Sequence, residues 1–183
     1  MKKVLTAFLL AFSFATLSYG QLTPVPDFKN QPMALVDGKL IKLEKQTAEQ
    51  KMKAKGMGYG GTSAFILLLG ENSPVVLSST PTFYIKVDED VDPESVIYLR
   101  KIAKSNKKGR EIEMMRVSAF AAYGAKGKSV KKNDSGLDFV KVSEGVFSCT
   151  PIKPLEPGEY AFLNVGQGTS GGQQSLVFAF GVH

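Results

Sequence analysis

The sequence predicts an all-β fold, an antiparallel β-sandwich, and three observations carry that prediction. Apolar and polar residues alternate with a period of two in run after run of strand length. Gly, Pro, Asn or Asp stand between those runs, where turns need them. No stretch beyond residue 20 keeps a helical apolar period over the length of a helix. The 183 residues are 43% hydrophobic and 22% charged, the balance of one packed globular domain.

Residues 1–20 stand apart from that pattern. Met1-Lys2-Lys3 is a basic start, Val4 to Leu17 is almost wholly apolar, and Ser18-Tyr19-Gly20 places small residues at the minus-3 and minus-1 positions. This is the layout of a secretory signal peptide cleaved before Gln21, so the expected product is a periplasmic or secreted bacterial protein. The apolar run is short of the ~20 residues that span a bilayer, and no Cys stands near the cleavage point to carry a lipid anchor. Loss of Lys2 and Lys3 lowers the net charge from +6 to +4. Export also removes the protein from pools of ATP and NAD, so no cofactor is expected.

Residues 21–32 hold three prolines and read as an extended lead-in, with 33–183 as a single domain. Met33 to Val36, Asp37-Gly38 and Lys39 to Leu43 form a hairpin signal, because Asp-Gly supplies the positive φ angles of a type I′ turn. Glu44 to Lys55 is polar and Lys-rich, a short helix or an exposed strand. Thr62–Leu69 and Pro74–Ser78 are apolar runs of strand length. Thr82–Val87 places Phe83, Ile85 and Val87 on one face, and Ser95–Ala103 places Ile97 and Leu99 opposite Tyr98 and Arg100. Glu111–Phe120, Leu137–Val142, Val146–Thr150 and Glu159–Val165 follow. Ser175–Val182 closes the series, with Leu176, Phe178 and Phe180 on a shared face.

Leu155-Glu156-Pro157-Gly158-Glu159-Tyr160 resembles the tyrosine corner of immunoglobulin-like and fibronectin-type sandwiches. In such a corner Pro157 and Gly158 turn the chain from one sheet to the other, Tyr160 buries its ring and hydrogen-bonds the crossover, and Leu155 plugs the core edge. One Cys and no Trp exclude the antibody type of domain, while the broader immunoglobulin-like class stands. The stretch from Lys39 to His183 also resembles a family of uncharacterised secreted bacterial β-sandwich proteins. The shared motifs are Gly38–Glu44, Asp92–Val96, Leu155–Phe162 and Phe178–Val182. They are structural, and the resemblance brings no activity with it.

Catalytic motifs fail on inspection, and no catalytic or metal-binding residue is assigned. Gly168-Thr169-Ser170-Gly171-Gly172 matches Gly-x-Ser-x-Gly, yet the one His is His183, with none upstream to serve as base. Lys126-Gly127-Lys128-Ser129 lacks the leading glycine of a phosphate loop, having Ala122 there. Asp88 to Glu94 has alternating carboxylates, but Pro93 stands where a calcium loop needs Gly, so a solvated acidic turn is expected. Cys149 reads as a small buried hydrophobe.

The basic residues form three groups, one in 39–55, one in 101–110 and one in 126–132. Antiparallel succession places the last two at opposite ends of the sandwich. The strand order places the glycine-rich tip around Ser170 beside the 104–110 loop, making Lys104, Lys107, Lys108 and Arg110 the candidate anion-binding set. The sequence thus points to a non-catalytic structural or interaction module with a protein partner in the cell envelope. The alternative is an envelope protein that binds an anionic glycan or lipid head group through basic loops. Neither reading involves nucleic acid.

Overall fold

The computed structural model describes residues 24–54, 62–117, 128–129, 134–165 and 174–183; residues 1–20, expected to be a signal peptide, and the loop around Ser170 lie outside them. The first strands are β1 (Met33–Val36), β2 (Lys39–Lys42), β3 (Glu44–Ala54), β4 (Thr62–Leu68), β5 (Val76–Leu77) and β6 (Thr82–Lys86). A short 3-10 turn at Pro93–Ser95 precedes β7 (Ile97–Lys101), β8 (Lys104–Asn106) and β9 (Gly109–Val117). Two-residue strands β10 (Lys128–Ser129) and β11 (Asp134–Ser135) lead to β12 (Leu137–Ser143), β13 (Val146–Pro151), β14 (Gly158–Asn164) and β15 (Gln174–Val182). The described residues contain no α-helix.

Two antiparallel sheets form the sandwich. The small one runs β12-β13-β6-β1-β2, and the large one runs β10-β9-β4-β3-β15-β14-β7-β11. The β1–β2 hairpin turns on Asp37 at φ 49 and Gly38 at φ 75, as its Asp-Gly pair requires. The Lys-rich segment is a strand, not a helix. Residues 44–49 of β3 pair with β15, and residues 50–54 pair with β4 on the other side.

That change of partner lets the large sheet fold over itself. One face of β14 and β15 meets the small sheet in an aromatic core, where Phe83 contacts Phe162 edge-on at 4.8 Å and Phe180 at 5.2 Å. The opposite face carries Ala161, Leu163, Val177 and Ala179, covered by Ile66 and Leu68 of β4 and Ile112 of β9. The central strands are therefore buried on both faces. Alternation in Ser175–Val182 predicted only the Leu176, Phe178 and Phe180 face. The second face does not stand out because apolar residues on both faces erase the alternation.

The lead-in is docked as well. Asn30 donates its N–H to the Lys86 carbonyl at 2.7 Å, and Lys29 pairs with Asp88. Asp92 accepts from the Glu94 N–H at 3.0 Å and so caps the 3-10 turn. The acidic stretch thus has structural uses. Among the described residues, no three His, Cys, Asp or Glu side chains are grouped as a metal site needs.

Candidate functional site

The chain leaves the small sheet at Pro151 and enters the large one at Gly158, and this passage forms the corner. Leu155 is buried in the aromatic core and its N–H donates to the Ser79 carbonyl at 2.7 Å. Pro157 sits exposed at the bend, and Gly158 begins β14 at φ 145. The Tyr160 ring is buried and stacks on Phe180 at 5.7 Å, while its hydroxyl donates to the Glu156 carbonyl at 2.8 Å. Burial raises the Tyr160 phenol above its ordinary value. Lys101, in the neighbouring β7, reaches Glu156 at 2.8 Å; the bond raises the lysine's pKa and lowers the carboxylate's.

Beside this corner lies an open groove of 660 Å³. Lys101, Lys153, Asp134 and Glu156 bring charges of both signs to it, and Tyr160 and Leu155 form its inner wall. A second hollow of 340 Å³ shares Ser135, Gly136 and Ile152 with it and runs on between Ile97 of β7 and Phe139 of β12. Ile152 stands between the two, 66% exposed, with its N–H bonded to the Gly136 carbonyl at 3.0 Å. The groove therefore follows the flank where the chain crosses from β11 in one sheet to β12 in the other. Asp134 is fixed there by Arg100, whose Nε donates at 2.6 Å and whose guanidinium also reaches the Glu113 carbonyl at 2.9 Å.

The candidate anion-binding set does not stay together. Lys104 begins β8, and Lys107 and Lys108 are exposed at the turn into β9. Arg110 is turned inward and fully buried. It grips Glu44 through two bonds of 2.6 and 2.8 Å, reaches Glu159 at 3.1 Å, and donates to the Leu69 and Gly70 carbonyls. Its hydrogen bonds go to the protein, which takes it out of any surface anion site. The loop around Ser170, expected beside these lysines, lies outside the described residues, but the strand register places the residues that flank it. Asn164 pairs with Ile97 at the start of β7, whereas β8 follows Lys101 at its end. Val165 and Gln174, which flank that loop, therefore stand at the end of the sandwich opposite Lys107 and Lys108.

The buried ion cluster was missed by sequence reading, although a signal was present. Arg110 shares its parity with Ile112 along β9, Glu159 with Ala161 along β14, and Glu44 with Ala48 along β3, and those partners are buried. Burial raises the Glu44 carboxyl, but hydrogen bonds from Arg110, Ser73 and Gln46 and the Arg110 charge outweigh it and hold the group below its ordinary 4.5. Glu159 also accepts the Ser73 N–H at 2.9 Å. Gly181, opposite Glu159 in β15, makes room for it: a Cβ there would lie 2.8 Å from the carboxylate. Cys149 is buried in the aromatic core, and burial pushes its thiol up to about 12.

Fold and site together define a double-cored all-β sandwich with a corner groove on one flank. Comparison of the chain with protein-family models and with curated proteins found no match to either.

Proposed function

We propose that this chain is an exported, non-catalytic structural or protein-interaction module of the bacterial cell envelope, and that the corner groove takes its partner. The groove carries this reading: it is open to solvent, lined by both charge signs around exposed Ile152, and floored by the buried side chains of Leu155 and Tyr160. A mixed lining suits a polypeptide, which offers both charges and apolar side chains, better than a uniformly charged polymer. The reactive side chains support the non-catalytic part. Arg110, Glu44 and Glu159 bind one another, and Cys149 is a buried, protonated thiol. The signal-peptide layout of residues 1–20 supports export.

Affinity capture from envelope extract, with wild type and Ile152→Glu in parallel, tests the reading. A partner held by wild type and lost by the variant is the expected result, and equal capture by both would contradict it. Fluorophosphonate labelling that Ser170→Ala abolishes would contradict the non-catalytic assignment.

One observation favours a second reading, an anionic glycan or lipid head group on the basic loops. Lys107 and Lys108 are exposed together at a turn that the Asn106 side chain fixes, accepting the Lys108 N–H at 2.8 Å. Under this reading the protein is retained on heparin or lipopolysaccharide at physiological ionic strength, and charge reversal of both lysines releases it. Under the first reading wild type elutes.

A further inference from the structure

The other flank of the sandwich carries a separate hollow. It lies where β2, the edge of the small sheet, meets the start of β3 in the large one, with the lead-in across it. Its volume is 170 Å³, and Phe28, Met33, Leu43 and Phe178 form apolar walls below Lys42 and Lys45. Leu43 and Phe178 belong to the aromatic core, so the floor is the core's own edge. Phe28 is 55% exposed, although the backbone beside it is pinned by the Asn30 to Lys86 bond. A half-exposed ring on a docked backbone thus forms one wall.

The two ammonium groups are weakly committed. Lys42 Nζ approaches Asp27 Oδ2 only to 3.9 Å, with both side chains mostly exposed, and lies 5.8 Å from the Phe28 ring centre. Among the described residues, Lys45 Nζ meets the neutral Gln31 amide oxygen, at 3.4 Å. An apolar hollow under a cationic rim favours a molecule with one apolar end and one anionic end. Size narrows the class further. A cavity of about 150 Å³ holds one benzene-sized ring, so this hollow takes a single ring or a short alkyl chain and excludes a long acyl chain.

We propose that this hollow binds a small organic monocarboxylate, with its ring or short chain against Phe28, Leu43 and Phe178 and its carboxylate on Lys42 and Lys45. The site is independent of the corner groove.

Titration of the purified protein with 3-phenylpropionate, followed by backbone amide NMR shifts, tests it. 3-Phenylpropanol and 3-phenylpropylamine serve as the neutral and cationic counterparts. The acid should give saturable shifts centred on Met33, Leu43 and Phe178, with a Kd of about millimolar or tighter. The alcohol should bind about fivefold more weakly, and Lys42→Gln with Lys45→Gln should weaken the acid by about the same factor without changing the alcohol. Phe28→Ser should weaken both. The proposal is overturned if the acid gives no saturable shifts, if they centre elsewhere, if the amine binds as well, or if the double variant keeps wild-type affinity.

Discussion

On one face of β14 and β15, Tyr160, Phe162, Phe178 and Phe180 interlock with Phe83 from the small sheet. On the other, a single step along each strand, Ala161, Leu163, Val177 and Ala179 lie beneath Ile66, Leu68 and Ile112. The first core fills the space between two separate sheets with large rings. The second is the inside of one sheet folded over, filled by buried aliphatic side chains. Its edge is closed by charge, with Arg110 bound to Glu44 and Glu159. The same strands thus carry rings on one side and aliphatic side chains on the other, and each side has its own way of failing.

Neighbouring substitutions in β15 should separate the two. Phe180→Ala empties the aromatic core and should cost about 3–5 kcal/mol in denaturant unfolding. Ala179→Leu, one residue away, overfills the second core and should cost about 1–3 kcal/mol. Wild-type stability of either variant would erase the contrast.

Acid should probe the second core through Glu44. Glu44 is held below its ordinary 4.5, so its contribution is complete above that pH and fades as pH falls through the lower folded-state value. Glu44→Gln should cost about 1–2 kcal/mol at neutral pH, with the deficit shrinking in acid. A deficit independent of pH would mean that the carboxylate charge is not what Arg110 uses. The smallest effect belongs to the corner, where Tyr160→Phe keeps the ring and loses one hydrogen bond, about 1 kcal/mol. A midpoint equal to wild type would show that the bond to Glu156 adds nothing.

Much of the aromatic core was legible in the sequence, because Phe83, Ile85 and Val87 alternate with polar neighbours and large rings mark their own face. The Asp37-Gly38 hairpin was legible because its turn demands those residues. The second core was not. Alanine and valine in β14 and β15 carry little pattern, and the strands that cover them are remote in sequence. The same separation hid the ion cluster: Arg110 lies 66 positions from Glu44, within a run of lysines that reads as a solvated loop. The corner was visible as Pro157, Gly158 and Tyr160, but its groove needs Asp134 and Lys101, which only the register brings near.

At the centre of this account, Arg110, Glu44 and Glu159 close the second core and hold the 69–73 segment onto it. Hydrogen exchange at the Ser73 amide tests that claim most directly, since this N–H donates to the Glu159 carboxylate oxygen that Arg110 also holds. The account predicts that Ser73 exchanges as slowly as the strand amides of β14 and β15. Exchange at the rate of a free loop amide would contradict it.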